Sequence, residues 1–358
     1  MRPRAFRLLV PCLALCLVFG VPVGCGGSVD AAAPDAGPSP TTTTTPTTTP
    51  TTTPTTTPTG TLGTGLPPRP ATDVPGSTAS FAADRVFLGT TDRAGKVSGG
   101  AWGSFGFDLD GRATSAEDSK YNTNVCLRVA GSGPRAVMDG EAGIDNGFGS
   151  QVVPFFKSLK ADVEDQVVSQ VAAGEWTWVL VLDDLGGDDD AKVPGHLYLG
   201  RKHPGTPKFT TADRWPVRAE VSFPNGYTSK GTWVSGSASF VLPLVMGSTL
   251  ALPLEVGLAS FELASGKGTI GGGVRRDELI AAFTPSFERT GVCRGTVAYD
   301  QVMMVLTQSM DLVSGAPSLQ DPTKTCDTLS VGLGFHALPT GVPVPGAVEP
   351  ELPPSGCP

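Results

Sequence analysis

The chain has few of the residues on which most enzyme chemistry depends. Its 358 residues include 3 histidines, and charged residues make up 17% of the total. None of the histidines, His196, His203 and His336, belongs to a His-Glu-x-x-His motif, and there is no Gly-x-Ser-x-Gly motif, phosphate-binding loop or Cys-x-x-Cys pair. The sequence therefore gives no support to a zinc protease, an α/β-type serine hydrolase, a P-loop NTPase or a thiol oxidoreductase.

Positive charge is also scarce. The 26 Lys and Arg residues face 34 Asp and Glu residues, which gives a formal net charge of −8. Three of the cations, Arg2, Arg4 and Arg7, lie at the extreme N-terminus, so the rest of the chain is more acidic still. Such a body is a poor binder of nucleic acid or of an anionic membrane surface, because like charges repel. We therefore expect no nucleic-acid partner.

The N-terminal segment has the layout of a secretory signal. Basic residues precede an uncharged stretch from Leu8 to Val23, which is too short to span a bilayer comfortably. It ends at Gly24-Cys25, which predicts a signal peptide over residues 1–24 and lipidation of Cys25 by fatty acids such as palmitate. Pro22 stands where lipoprotein signals usually have Leu, so cleavage after Ala31-Ala32-Ala33 is the alternative.

Residues 25–80 predict a lipidated N-terminus followed by a stalk. Thr41 to Thr59 is interrupted by Pro46, Pro50, Pro54 and Pro58, and such a tract cannot bury a core. Frequent proline favours an extended spacer, whose threonines are potential sites for O-linked sugars. We expect export and anchoring to a bacterial membrane through the lipid. Gly26 after the cysteine favours the outer membrane, and a secreted soluble protein is the alternative.

The cysteine count fits export. Cys12 and Cys16 lie in the signal segment and Cys25 is the lipidation candidate, which leaves Cys126, Cys293, Cys326 and Cys357. An even number of cysteines in an exported domain predicts two disulfides, although the sequence does not choose among the three pairings.

Residues 81–340 predict a single β-rich domain, and residues 341–358 a Pro-rich tail. Short apolar segments separated by Gly and Pro favour a mainly β sandwich of antiparallel sheets with two or three amphipathic helices packed on it. The predicted strands are 85–88, 101–109, 125–129, 176–182, 196–199, 217–223, 231–234, 239–246, 249–258, 259–264, 269–274 and 329–337.

Three helices are predicted from apolar spacings of three and four residues. The first runs from Pro154 to Ala173 and ends before Gly174. The second begins at a Thr296 cap and continues toward Gly315, and a shorter one covers Arg275 to Phe283. We expect their apolar faces to pack into the core.

The sharpest chemical pattern lies between residues 106 and 148. Asp108 and Asp110 alternate with apolar residues, which predicts that both project from one face of a strand, and Asp139, Asp145 and Asn146 follow in a glycine-rich segment. Closely spaced oxygen ligands are what Ca²⁺ requires, so these five residues form a candidate calcium site. The alternative is a pair of turns in which Asp and Asn side chains bond their own backbone.

Weaker site candidates lie elsewhere. The acidic run from Asp183 to Asp190 predicts either a cation site or a solvated turn. The pairs Asp108 with Asp110, or Glu255 with Glu262, offer the two carboxylates of a glycosidase. Exposed tryptophans would favour a glycan, whereas the apolar Val179–Leu182 segment predicts that Trp176 and Trp178 are buried. No catalytic residue is assigned.

Several short motifs resemble those of uncharacterised exported lipoproteins from myxobacteria and related GC-rich Gram-negative bacteria. They are Phe105 to Gly111, Asp139-Gly140, Gly143 to Asn146, Phe148-Gly149, Asp183 to Gly186, Thr232 to Gly236, Cys326-Asp327 and Gly332 to Phe335. The resemblance covers about residues 85–338, implies an exported lipoprotein and assigns no functional residue.

The expected role is a membrane-anchored, non-enzymatic binding or structural module of the cell envelope, with a glycan or another envelope component as partner. An envelope polysaccharide hydrolase is one alternative. A carrier of lipophilic ligands is the other, suggested by the long apolar strands between Ser239 and Leu263.

Overall fold

The computed structural model describes residues 65–121, 125–131, 136–315, 321, 323–350 and 354–357. Contacts divide the chain into residues 1–56 and 57–358, and the first unit lies outside the described residues. The predicted signal segment, Cys25 and most of the predicted stalk therefore lie outside them as well. None of the helices in the described ranges is both long and apolar enough to cross a membrane.

The protein is mainly β, and the predicted fold class is confirmed. The strands are β1 Ser77–Phe87, β2 Trp176–Leu185, β3 Gly195–Arg201, β4 Pro216–Phe223, β5 Tyr227–Ser229, β6 Thr232–Val234, β7 Ala238–Met246, β8 Ser248–Glu262, β9 Lys267–Arg275, β10 Thr328–Pro339 and β11 Val344–Pro345. In the main sheet they follow the order β11-β4-β3-β2-β1-β10-β9-β8-β6-β5. All neighbours in it are antiparallel except β11 and β4.

Strand β7 and the first half of β8 form a second layer over this sheet. β8 pairs with β7 along its first half and with β9 along its second, and a register shift lies between Glu255 and Leu258. Phe240 on β7 meets Phe223 on β4 edge-on, with ring centroids 5.1 Å apart. Trp178 on β2 donates its indole N–H to the Pro243 carbonyl on β7 at 2.7 Å. The apolar residues of both layers meet in one core.

Strand β2 is largely apolar because both of its faces are covered. Trp176 and Trp178 face the main core, whereas Val179 and Val181 face a second cluster around Trp215 on the opposite side of the sheet. Side chains alternate between the two faces of a strand, so a strand covered on both faces has no polar side. The predicted burial of Trp176 and Trp178 is confirmed, with 0% and 1% of each side chain exposed.

Five α-helices accompany the sheet in the described part of the chain. They are α1 Ala116–Tyr121, α2 Val153–Leu159, α3 Val163–Ala172, α4 Arg276–Arg289 and α5 Val297–Gln308. A π-helical turn, Phe148–Val152, leads into α2. Thr296 caps α5 as predicted, since its hydroxyl accepts a hydrogen bond from the Tyr299 N–H at 3.3 Å.

The helix boundaries depart from the prediction in three places. The single helix predicted over 154–173 is two helices, because Lys160 takes an extended conformation with φ −145° and ψ 98°. The spacing of the apolar residues did not reveal the break, because Phe156 before it and Val167 after it both pack into the same core. Helix α4 continues past Phe283 to Arg289, and α5 stops at Gln308 instead of approaching Gly315.

Two predicted strands are wrong. Residues 101–109 form a short 3₁₀ turn followed by an isolated bridge from Phe107 to Asp145, and residues 125–129 contribute one bridge, from Leu127 to Thr325. The alternation after Ala101 breaks at Gly106, whose φ of +128° is rarely open to other residues. The Phe105–Gly106 segment lies directly on β10, where a Cβ added at Gly332 would stand 2.2 Å from the Phe105 carbonyl oxygen.

Both predicted disulfides are present. Cys126 pairs with Cys326, and Cys293 with Cys357, which resolves the pairing that the sequence left open. The second bridge fastens the C-terminal segment to the start of the loop before α5. Disulfides persist in oxidising compartments, so the two bridges indicate an exported protein.

Candidate functional site

Three buried aspartates lie close together. Asp108, Asp110 and Asp145 each offer one carboxylate oxygen, and these atoms lie within 4.8 Å of one another. The side chains are 4%, 4% and 2% exposed. Asp108 and Asp110 follow the Phe105–Gly106 segment, which crosses β10. The bridge from Phe107 to Asp145 places the segment that contains Asp145 beside them.

Backbone amides fix these carboxylates. The Leu109 N–H donates to Asp145 Oδ2 at 2.6 Å, and the Gly111 N–H donates to Asp108 Oδ1 at 2.6 Å. The Arg112 N–H donates to Asp110 Oδ1 at 2.8 Å. The local Asp–backbone turns expected as the alternative to a calcium site are therefore present, and the same turns bring the three carboxylates together.

Two further aspartates belong to the group. Asp139 and Asp311 line a small internal cavity of about 10 Å³ together with Asp110 and Asp145. We call Asp108, Asp110, Asp139, Asp145 and Asp311 the carboxylate cluster. The cavity is about the size that one water molecule needs.

Burial perturbs the acids of the cluster. Desolvation, assisted by the charges of Asp110 and Asp311, raises the pKa of Asp139 to about 8. Desolvation raises the pKa of Asp311 to about 6, against hydrogen bonds from Ser330 and the charge of Arg128. The pKa of Asp145 is raised well above its usual value by burial and by the charges of Asp110, Asp139 and Asp311. All three pKa values rise because the carboxylates are poorly solvated and lie close to other groups of like charge.

Such a cluster is neutralised either by protons or by a hard cation. The oxygen ligands of a Ca²⁺ ion lie about 2.4 Å from it, so two of them are at most about 5 Å apart, and the three central oxygens meet this condition. Arg128 is the cation that already lines the cavity, but its guanidinium donates to the carbonyls of Gln308 and Met310. The arrangement fits one small divalent ion and excludes a sugar ring, which gives a glycosidase reaction at Asp108 and Asp110 no substrate access.

Asn146 bonds to backbone groups and does not belong to the carboxylate cluster. Its Oδ1 accepts the N–H groups of Gly149 and Gly332 at 2.8 and 3.0 Å. Its Nδ2 faces the carbonyls of Trp102, Phe105 and Gly332 at 2.9 to 3.0 Å. The amide thereby holds the crossing segment on β10, and its oxygen points to backbone donors.

The other predicted site residues do not converge. In the acidic run, Asp190 is buried and accepts backbone N–H groups from Val74, Gly186 and Lys192, whereas Asp183 pairs with His196 at 3.0 Å. Glu255 and Glu262 stand seven residues apart on one strand, roughly 20 Å. Of the five tryptophans, Trp176, Trp178, Trp215 and Trp233 are fully buried and offer no platform to a glycan.

A second feature is an apolar pocket of about 520 Å³ between the helices and the hairpin turn. Its walls come from α2, α3, α4, α5 and the β7–β8 turn. The apolar part comprises Phe156, Leu159, Val163, Val167, Met246, Leu250, Phe283, Phe287, Val292 and Val302, and the polar part Lys160, Gln166, Gln170, Ser248, Ser286, Arg289 and Thr290. Leu159 is 63% exposed, so the pocket opens to solvent.

Comparison with protein-family models, with curated proteins and with solved structures gives no match. The carboxylate cluster and the apolar pocket are therefore the observations that bear on the function of the protein.

Sequence reasoning missed Asp311, Arg128 and the pocket. Asp311 stands between the buried Met310 and Leu312, and a charged residue inside an apolar stretch is a signal that was available. Arg128 follows Cys126 by two residues, and only the disulfide to Cys326 shows where that segment lies. The pocket arises from four helices whose apolar faces do not close completely, and no local pattern reveals such a gap.

Proposed function

We propose that the protein is a membrane-anchored, exported lipoprotein that acts as a non-enzymatic binding module for an apolar ligand. The observation that carries the proposal is the apolar pocket. Its volume of about 520 Å³ falls in the range of small-molecule sites, which is about 300 to 1,000 Å³. A mostly apolar wall with a few polar groups is the usual composition of such sites.

The pocket supports a carrier better than a hydrolase. Its walls contain no His, Cys, Asp or Glu among the described residues, so Ser248, Ser286 and Thr290 have no imidazole or carboxylate in the pocket to activate them as nucleophiles. Four members of the carboxylate cluster, Asp110, Asp139, Asp145 and Asp311, line a separate and much smaller cavity. The long apolar strands that suggested a carrier supply one wall, through Met246 and Leu250.

The anchor belongs to the same proposal. Cys25 receives the lipid, the Thr/Pro-rich tract from Thr41 to Thr59 holds the domain away from the membrane, and the outer membrane is favoured. The last residues of the predicted stalk belong to the domain, because β1 begins at Ser77 and the Val74 N–H donates to Asp190. The two disulfides support an oxidising location. We expect radiolabelled palmitate to be incorporated into the wild type and to be absent from Cys25→Ser, as measured by gel fluorography. Labelling that persists in the variant would place the lipid on another residue, and labelling that never occurs in the wild type would leave a secreted protein.

A bound divalent cation is the second element of the proposal. Asp108, Asp110 and Asp145 would supply its central oxygen ligands, with Asp139 nearby, and the ion would offset the repulsion within the carboxylate cluster. Calcium in this role is structural. It stabilises the loops that carry Asp108, Asp110 and Asp145 and takes no part in ligand chemistry.

Filling the pocket tests the binding function. Val163 is half-buried at the first position of α3 and lines the pocket, so Val163→Trp places a large ring in it. We expect the wild type to bind the neutral fluorescent probe N-phenyl-1-naphthylamine and the variant to bind it at least about tenfold more weakly, a loss of ~1.4 kcal/mol. Fluorescence titration measures both.

Val297→Trp is the matched control. Val297 is 75% exposed on α5 and is not among the described pocket residues, so the same substitution there leaves probe binding unchanged. Melting temperatures of both variants separate pocket filling from unfolding. Equal probe affinity in Val163→Trp and in a folded wild type would contradict the pocket as the binding site.

A further inference from the structure

We propose that the apolar pocket binds a lipid with one acyl chain and an anionic head, whose chain lies on the phenylalanines of the pocket and whose head lies beside Lys160 and Arg289. The inference rests on the proposed function, because it names the class of ligand that the same pocket would hold.

Aromatic rings form the surface against which the chain packs. The ring centroids of Phe156 and Phe283 are 5.3 Å apart, and those of Phe156 and Phe287 are 5.9 Å apart. Phe283 and Phe287 stack at 5.8 Å on successive turns of α4. Three packed rings give a continuous apolar surface, which suits a flexible hydrocarbon chain and provides no hydrogen-bonding pattern for a polar ligand.

The charges of the pocket point to an anion. Its two charged residues are both cations, and none of the described lining residues is acidic, in a chain with a net charge of −8. Within the described ranges, neither Lys160 nor Arg289 takes part in an ion pair. The Lys160 ammonium donates to Gln166 Oε1 at 2.6 Å, which uses one of its three protons. The local charge is therefore opposite to that of the whole protein.

The size of the pocket favours one chain. A volume of about 520 Å³ suits a drug-sized ligand, and the two chains of a bilayer phospholipid exceed that class. The acidic body repels an anionic membrane surface, so the ligand is expected to be captured as a single molecule, attracted by Lys160 and Arg289.

Displacement of N-phenyl-1-naphthylamine from the full-length protein tests the inference. Palmitate and hexadecanol share a chain length and differ in the charge of the head, and both are used below the concentration at which they self-associate. At pH 8 we expect palmitate to displace the probe at a concentration at least about tenfold lower than hexadecanol. The preference should shrink as salt is raised, since the head-group contact is electrostatic.

Charge reversal supplies the decisive comparison. In Lys160→Glu/Arg289→Glu the preference for palmitate should fall below about twofold, while displacement by hexadecanol is unchanged. Lys96→Glu/Lys208→Glu makes the same change in net charge at exposed residues that do not line the pocket, and it should retain the preference.

The outcomes separate this inference from the proposed function. Equal displacement by palmitate and hexadecanol in the wild type would overturn the anionic head and leave apolar binding intact. A wild type that binds neither the probe nor either competitor would overturn both. A preference for palmitate that survives Lys160→Glu/Arg289→Glu would overturn the assignment of the head group to these two cations.

Discussion

In the absence of divalent cations, the protein loses stability as the pH rises from about 4 to 8. Asp139, with a pKa of about 8, and Asp311, with a pKa of about 6, bind protons more tightly in the folded state than at their usual value of 3.8. Between those values the folded state holds more protons than the unfolded state, so the free energy of unfolding decreases with pH. The contribution is fully present below pH 4 and lost as the pH passes through 6 and 8.

The expected loss is several kcal/mol, because a tenfold difference in proton affinity between the folded and unfolded states corresponds to about 1.4 kcal/mol. Urea unfolding at pH 4, 6 and 8 in EGTA measures it. Calcium should abolish most of the loss at pH 8, because an ion that binds only the folded state stabilises it. Asp139→Asn should flatten the pH dependence, since it removes one of the titrating groups of the carboxylate cluster.

Matched amide substitutions locate the ion. Asp145→Asn keeps the acceptor for the Leu109 N–H and removes the charge, so it should eliminate the stabilisation by calcium. Asp188→Asn makes the same change at an exposed residue of the acidic run and should leave that stabilisation intact. If calcium does not change the free energy of unfolding at pH 8, no bound cation is needed and protons neutralise the carboxylate cluster.

Asn146→Asp is expected to destabilise the protein by about 3 to 5 kcal/mol. Asn146 is 1% exposed, and its Nδ2 donates toward three backbone carbonyls. The carboxylate has the same shape, but it replaces the donor with an acceptor and adds a buried charge next to Asp145. The segment that places Asp108 and Asp110 would then lose its attachment to β10.

Asn225→Asp is the control for this change. Asn225 is exposed, so the same substitution should alter the free energy of unfolding by less than about 0.5 kcal/mol. The comparison also decides the role of Asn146. An oxygen ligand of calcium is improved by conversion to Asp, so tighter calcium binding and an unchanged free energy of unfolding in Asn146→Asp would contradict its structural assignment.

Local sequence patterns predicted the parts of the fold that local interactions determine. The apolar segments 239–246 and 249–258 predicted the strands that became β7 and most of β8, and the Thr296 cap identified the start of α5. The break at Lys160 escaped prediction because apolar spacing continues across it. The predicted strand over 101–109 failed because the segment packs across glycines of β10, a contact between residues more than 200 positions apart.

The candidate sites show the same limit. Asp108, Asp110, Asp139 and Asp145 were predicted as candidate ligands of one ion. Oxygens of Asp108, Asp110 and Asp145 lie within 4.8 Å of one another and Asp139 lines the adjacent cavity, although turns and a chain crossing bring them together where a strand face was expected. Asp311 joins them from the end of α5, and Asn146 was predicted as a ligand because its sequence neighbours are acidic. The apolar pocket depends on how four helices and a hairpin pack, which no single segment encodes.

Native mass spectrometry of the full-length protein, extracted from membranes in mild detergent, tests binding in the apolar pocket most directly. The account predicts a non-covalent lipid mass on the wild type that is lost on collisional activation, in addition to the covalent anchor, and its absence from folded Val163→Trp. Val297→Trp should retain the mass. A folded wild type that carries only covalent lipid, or a non-covalent mass that persists in Val163→Trp, would contradict the assignment of the pocket as a lipid-binding site.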